Sequence, residues 1–256
     1  MPLDMGSQAV NSGPIPGLQM ILTEDHLKSS RDIHNNLPDD DILLGVVGEI
    51  SEHLPQLRLL FEEFGVENLF GVHILHKHSE VPDGFHLVGR TEIRDKRLYY
   101  WTRVVDDTLN PSKVCGRKFV FDPQHGLYPY EFHEGPMPDL SKVDPKFFLR
   151  FTEYLVTHEL TSILGLMYVP PELLIYDMVE FVLSNCRLLL VQMVFLEIDM
   201  TTTVTTDWRF SQPKITRKTY CIPDRNMKHP SPDDLLLQQY QISITDNYLA
   251  TLPMDL

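Results

Sequence analysis

The chain has 256 residues, 43% of them hydrophobic, and carries 36 acidic against 22 basic side chains, a formal net charge of −14. This length suits one large domain or two small ones with a substantial core. Proteins bind nucleic acids and anionic membrane surfaces through clustered cations. The excess of acidic side chains therefore predicts that neither is a partner of this protein.

The cysteines and the apolar stretches indicate a cytoplasmic protein. Cys115, Cys186 and Cys221 are widely separated and form no CxxC pair, a pattern typical of a reducing compartment. The first residues lack the basic and apolar parts of a secretory signal. The longest apolar stretch, "CRLLLVQMVFLEI" at 186–198, is too short to span a bilayer.

Residues 1–20 are rich in Gly, Pro, Ser and Asn and have little apolar patterning, which predicts a mobile N-terminal arm. Residues 21–256 are predicted to form a single domain. Its first part is predicted to be helical, because three aspartates at 39–41 precede an apolar run. Pro55 is predicted to begin a second helix, with apolar side chains at helical spacing after it.

Short runs rich in β-branched and aromatic residues follow, five between 69 and 132 and four more between 164 and 210. The turns between them are too short for crossover helices, which favours antiparallel pairing. Between the two blocks, a helix is predicted over 145–160, with Phe147, Phe151 and Tyr154 on its apolar stripe. The segment from Lys214 to Leu256 is predicted to be loops with one short helix near "PDDLLLQQY".

These elements predict an α+β fold: a large, mainly antiparallel sheet that can curl into a barrel, one strong helix at 145–160, and N-terminal helices. Both strand blocks place apolar and aromatic residues on alternating faces. Such faces suit the lining of a concave, largely apolar cavity.

The strongest chemical signal is "GVHILHKH", 71–78. If this run is one strand, His76 and His78 lie on the same face together with Ile74. Two imidazoles at this spacing can bind one divalent metal ion, or can act as an acid and a base on one substrate. The alternative is a pair of half-exposed histidines on an edge strand.

A second signal is "YPYEFHEG", 128–135, where His133 and Glu134 lie at the end of a strand. Functional groups concentrate in loops that a rigid sheet supports. The sequence therefore predicts His133 or Glu134 as further catalytic residues beside His76 and His78, although a solvated strand end is an equal alternative.

The motifs GxGxxG, GxxxxGK[ST] and GxSxG do not occur, so we expect no nucleotide cofactor. The sequence is compatible with one cofactor, a single divalent metal ion bound by His76 and His78. The stretches "HILHKH", "YPYEFHEG" and "TDWRF" together resemble hypothetical proteins of filamentous fungi and some bacteria. That resemblance covers three short stretches and implies no site.

Two functional hypotheses follow. The first is an enzyme that isomerises, cyclises, dehydrates or hydrolyses a small apolar molecule in a histidine-lined cavity. The second is a non-catalytic module that binds a hydrophobic ligand or a protein. Histidines and carboxylates gathered in one pocket would favour the enzyme, whereas the same residues scattered over the surface would favour the binding module.

Overall fold

The computed structural model describes residues 13–94, 96–183, 186–211 and 215–222. Its α-helices are α1 (Glu24–Asn35), α2 (Leu43–Glu63) and α3 (Lys146–Thr157). Its strands are β1 (Phe70–Ile74), β2 (Phe85–Arg94), β3 (Arg97–Asp106), β4 (Val114–Asp122), β5 (Gly126–Glu134), β6 (Leu164–Tyr168), β7 (Met178–Leu183), β8 (Arg187–Gln192), β9 (Val204–Ser211) and β10 (Ile215–Cys221). None of the described helices is long and apolar enough to cross a membrane.

The ten strands close into a barrel in the order β1-β6-β4-β5-β2-β3-β8-β7-β10-β9. Two neighbouring pairs, β2 with β5 and β7 with β10, are parallel, and the other pairs are antiparallel. The predicted α+β class with a barrel-like, mainly antiparallel sheet is therefore confirmed. Closure removes the exposed strand edges of an open sheet.

Helices α2 and α3 cover one side of the barrel with an aromatic core. The ring of Phe147 in α3 packs edge-on against Phe61 of α2 at 5.1 Å and stacks on Phe70 of β1 at 5.6 Å. Phe151 is fully buried in the same cluster. The prediction of a helix here, with its Phe147 and Phe151 stripe buried, is confirmed, although the helix is shorter at both ends than 145–160.

The outer face of β1 packs against these helices, so its alternate residues point into the barrel. Phe70, Val72 and Ile74 belong to the aromatic core, whereas His73 lies on the inner face beside Gly165 of β6. Several charged side chains are buried around this lumen: Arg117, Lys118, Glu131, Glu180, Asp207 and Arg209. The barrel is thus apolar outside, beneath the helices, and polar within.

Helix α2 runs without interruption through Pro55, so the prediction that Pro55 begins a new helix is wrong. An interior proline costs about 3 kcal/mol. The burial of Ile50 and Leu57 on either side of it, both fully inaccessible to solvent, offsets that cost.

Two elements were not expected from the sequence. Helix α1 begins with a capping box in which the Thr23 hydroxyl accepts from the His26 amide and the His26 ring accepts from the Thr23 amide. Strand β10 falls in the segment predicted to be loops, and it closes the barrel between β7 and β9. The helix predicted near "PDDLLLQQY" lies outside the described residues.

The packed part of the chain includes the end of the predicted N-terminal arm. Ile15 and Leu18 are buried in the aromatic core, and the Gly116 amide of β4 donates to the Gly17 carbonyl at 3.0 Å. Gly17 has a φ of 74°, and a Cβ there would lie 2.5 Å from the Gly116 nitrogen. Residues 1–12 of the predicted arm lie outside the described residues.

Candidate metal centre at the barrel mouth

Strand β1 ends at Ile74, so His76 and His78 lie in the loop after it and not on the strand, as the sequence analysis assumed. Backbone hydrogen bonds fix this loop: the Leu75 amide donates to the Ile163 carbonyl, and the Lys77 amide donates to the Pro38 carbonyl, both at 2.8 Å. The loop therefore lies across one mouth of the barrel, held from both sides.

His76 and His78 converge on Glu180, a carboxylate on the inner face of β7. The His76 and His78 Nε2 atoms are 3.2 Å apart, and His78 Nε2 donates to Glu180 Oε1 at 2.8 Å. The three groups place one ligand atom each within 4.8 Å of one another. Their side chains are almost completely buried, with 6% of His78 and 4% of Glu180 exposed.

The outer nitrogens of both histidines are held by oxygen acceptors. His76 Nδ1 donates to the Ile74 carbonyl at 2.9 Å, and His78 Nδ1 donates to Asp40 Oδ2 at 3.3 Å. Asp40 lies in the short 3-10 turn that leads into α2. With Nδ1 protonated in each ring, Nε2 of His76 offers a lone pair at the convergence point, and Nε2 of His78 would offer one after losing the proton that it donates to Glu180.

The charges of the three groups follow from these contacts. Burial alone would lower the pKa of His78, but the hydrogen bonds to Asp40 and Glu180 outweigh it and raise the pKa to about 9. Burial and then the nearby charge of His78 lower the pKa of His76 to about 3. Burial opposes ionisation of Glu180, but the hydrogen bond and charge of His78 hold its pKa below the ordinary value. A single proton on His78 Nε2 thus lies between a neutral imidazole and a carboxylate.

A divalent metal ion can replace that proton. Two nitrogens at about 2.0–2.1 Å from a tetrahedral Zn²⁺ lie about 3.3–3.4 Å apart, close to the distance between the two Nε2 atoms. The distance between His78 Nε2 and Glu180 Oε1, 2.8 Å without an ion, would have to lengthen to about 3.3 Å in such a site. Two histidines, one carboxylate and acceptors behind the rings match the donor set of catalytic metal sites.

A small cavity of about 20 Å³ adjoins this group. A water molecule needs about 10–15 Å³ measured in this way, so the cavity has room for one water beside the ligands. Its lining includes His76, His78, Lys118 and Glu131. His34 of α1 also lines it, and its Nε2 donates to the Ser79 carbonyl at 3.1 Å.

Of the predicted site residues, the structure brings together His76 and His78 but not His133 and Glu134. His133 lies on β5 and stacks on Tyr100 at 5.8 Å, on the same inner face as Glu131. Glu134 is exposed and accepts from Arg103 at 3.3 Å. Neither is among the described residues that line the cavity.

Sequence analysis missed Glu180, Asp40 and Lys118. Glu180 is a single acidic residue within the apolar strand "MVEFVL". An isolated carboxylate in such a strand indicates a buried group that needs a partner, and this pattern could have identified Glu180. Nothing in the sequence indicates that β7 lies close to the loop after β1.

Comparison with known proteins adds no further assignment, since no family model, curated protein or solved structure matches the chain.

Proposed function

We propose that this protein is a metal-assisted enzyme that acts on a small molecule at the mouth of its barrel. His76, His78 and Glu180 are the proposed ligands, and hydrolysis or dehydration are the proposed reaction classes. The observation that carries the proposal is the convergence of two Nε2 atoms and one carboxylate oxygen. His76 and Glu180 are buried residues, and the side chain of His78 is 6% exposed.

His76, His78 and Glu180 would hold a divalent ion through three ligand atoms, and such an ion would supply a water whose pKa is lowered to about 7. The chain's own contribution is to orient the ligands. The Ile74 carbonyl and Asp40 fix the two rings with Nε2 directed inwards. The cavity beside them has room for one water, which is the reactant that both proposed reaction classes share.

The walls of the cavity supply groups that such a reaction needs. Lys118 lines it, and its ammonium can stabilise negative charge that develops on a substrate oxygen. The Tyr130 hydroxyl, which also belongs to a lining residue, is hydrogen-bonded with His73 Nδ1 at 3.2 Å. His34 is kept neutral because burial lowers its pKa to about 4, so a nitrogen lone pair is present at neutral pH. The apolar substrate expected from the sequence stays a prediction, and the charged wall favours a substrate with at least one polar group.

The first experiment tests metal binding. Protein freed of metal by chelation is titrated with Zn²⁺ and Co²⁺ by calorimetry, and we expect one ion per chain. Glu180→Gln and His78→Asn should each weaken Zn²⁺ binding by more than roughly 10–100-fold. That range is the loss caused by substituting residues that only hydrogen-bond the metal ligands. Glu134→Gln and His125→Asn change an exposed carboxylate and an exposed imidazole, and should leave binding unchanged.

The second experiment tests catalysis. The zinc-loaded protein is assayed against a panel of small esters, amides and β-hydroxy acids. Turnover should disappear on chelation and in Glu180→Gln, and return when Zn²⁺ is restored to the unsubstituted chain. A folded protein that binds neither ion would refute the proposal. Metal binding without turnover of any panel compound would instead support a structural or regulatory metal site.

A further inference from the structure

Lys118 is the cation closest to the proposed site on its lumen side. It lies on β4 next to a β-bulge and is paired in register with Glu131 of β5. Only 6% of the residue is exposed, although it lines the same small cavity as His76 and His78. A buried ammonium beside a proposed metal site requires a physical explanation, because charge burial is costly unless a partner is present.

The carboxylate nearest to Lys118 is already shared. Lys118 Nζ lies 3.7 Å from Glu131 Oε2, which is beyond hydrogen-bond distance. The other oxygen, Oε1, accepts from the Arg117 guanidinium and from the Thr102 hydroxyl. One carboxylate, that of Glu131, therefore faces two buried cations. It accepts a hydrogen bond from Arg117 but not from Lys118.

Lys118 stays charged in this environment. Burial would lower its pKa, but attraction by Glu131, Asp207 and Glu180 outweighs burial and holds the pKa above its ordinary value. The ammonium is therefore a permanent donor at the cavity wall over the physiological pH range.

The balance of charge around the lumen changes when a metal binds. Without metal, three buried cations face three buried carboxylates among the described lumen residues: Arg117, Lys118 and Arg209 against Glu131, Glu180 and Asp207. The protonated His78 ring and Asp40 also balance each other. A divalent ion would displace the His78 proton, so its binding would add one net positive charge. The loaded site would then carry one positive charge in excess, which favours an anionic ligand.

Lys77 shows what a fully neutralised lysine looks like in the same cavity. Its Nζ donates to the Asn35 carbonyl at 2.7 Å and lies 3.8 Å from carboxylate oxygens of both Asp39 and Glu80. Lys77 lines the rim of the cavity, so the two lysines differ in their partners and not in their access to the site.

We propose that Lys118 is the anion-binding group of the cavity and that the substrate class carries a small carboxylate. One carboxylate oxygen would take the place of the cavity water and face the metal position between His76, His78 and Glu180, and the other would accept from Lys118 Nζ. Because the cavity has room for one water, its side chains would have to move apart to admit the carboxylate. This inference rests on the proposed metal-assisted function and specifies the substrate for the same site.

The test uses the Co²⁺-loaded full chain and sodium formate, the smallest carboxylate, as the probe. Formate binding is followed through the visible absorption of Co²⁺. Lys118→Met should weaken the formate Kd by about tenfold or more, the loss expected when a charge-assisted hydrogen bond is removed. Co²⁺ affinity should not fall in this variant. Lys113→Met, in the exposed turn that precedes the same strand, is the control and should leave the formate Kd within about twofold of the original, because this lysine is not among the described residues that line the cavity.

Thermal unfolding followed by circular dichroism verifies that each variant is folded, and Lys118→Gln replaces Lys118→Met if the latter is not. Two results would overturn this inference while leaving the metal site intact. One is an unchanged formate Kd in a Lys118 variant that binds Co²⁺. The other is an original chain that binds Co²⁺ but no formate. Failure of the original chain to bind Co²⁺ overturns the proposed function, and this inference with it.

Discussion

His78 Nε2 donates to Glu180 Oε1 at 2.8 Å, joining two residues that are 102 positions apart in the chain. His78 comes from a loop at the barrel mouth and Glu180 from the inner face of a strand. The contact exists because the loop is tied to Pro38 and Ile163 by backbone hydrogen bonds while barrel closure turns β7 towards it. The site is therefore a product of the whole fold and not of a local motif.

Asp40→Asn should weaken Zn²⁺ binding by roughly 10–100-fold, less than loss of Glu180, because Asp40 holds His78 from behind and does not reach the metal position. Calorimetric titration at constant pH measures the effect. The neighbouring Asp39→Asn is the matched control, since the Asp39 side chain is 74% exposed and faces Lys77. Equal affinities in the two variants would show that Asp40 does not orient His78.

Phe151→Ala should lower the free energy of unfolding by about 3–5 kcal/mol, the cost of removing a fully buried aromatic side chain. Urea denaturation measures it. Leu149→Ala on the same helix removes a side chain that is 37% exposed, and should cost far less. A loss below about 1 kcal/mol for Phe151→Ala would mean that α3 is not anchored to the barrel by this ring.

Stability should fall as the pH is lowered from about 6.5 to about 4. Burial is the main cause that lowers the pKa of His34, His73 and His133 to about 4 in the folded chain. The unfolded chain takes up protons on these residues below about pH 6.5, whereas the folded chain does not. The stability contribution is therefore complete above that pH and is lost towards pH 4.

Urea denaturation at several pH values measures this dependence. His133→Asn removes one of the three groups, and should make the decline shallower by up to about 1.4 kcal/mol per pH unit, the effect of one proton. Leu149→Ala, which removes no titrating group, should leave the slope unchanged. An identical slope in His133→Asn would show that His133 is not held neutral by the fold.

The sequence predicted the elements better than the site. Nine of the ten strands correspond to runs of β-branched and aromatic residues, because such runs fit a half-buried pleated surface. Strand β10, "ITRKTYC", also contains β-branched and aromatic residues, but they are interrupted by Arg217 and Lys218 and lie in the segment predicted to be loops. Pairing with β7 and β9 stabilises it as a strand. Pro55 was misjudged because local propensity does not include the burial of the surrounding helix.

The histidine pair was identified for an incomplete reason. Alternation along a strand predicted that His76 and His78 share a face, and they do converge, but through a loop whose shape depends on Pro38 and Ile163. Glu131 and His133, two positions apart on β5, lie on the same inner face of the barrel. Which inward residue meets the histidines depends on strand order and register across the closed barrel, and these are long-range properties that periodicity does not encode.

Gly165→Ala should destabilise the protein by several kcal/mol and disturb the lumen. A Cβ at this position would lie 2.2 Å from the Phe119 carbonyl oxygen and 2.5 Å from His73 Nε2. The carbonyl belongs to the neighbouring strand β4 and cannot rotate away, so the barrel itself must shift. Overpacking of this kind costs about 1–3 kcal/mol, and more where the backbone is the obstacle.

A glycine-to-alanine substitution where the new Cβ meets no other atom serves as the control. It measures the general effect of replacing glycine without the steric conflict. Gly48 lies inside α2, and a Cβ there meets no atom within 4 Å. Gly48→Ala should stabilise the protein by roughly 0.5–1 kcal/mol, because alanine loses less conformational freedom than glycine in a helix. Urea denaturation of both variants gives the comparison. A Gly165→Ala protein as stable as Gly48→Ala would mean that β4 and β6 do not approach each other as closely as the barrel requires.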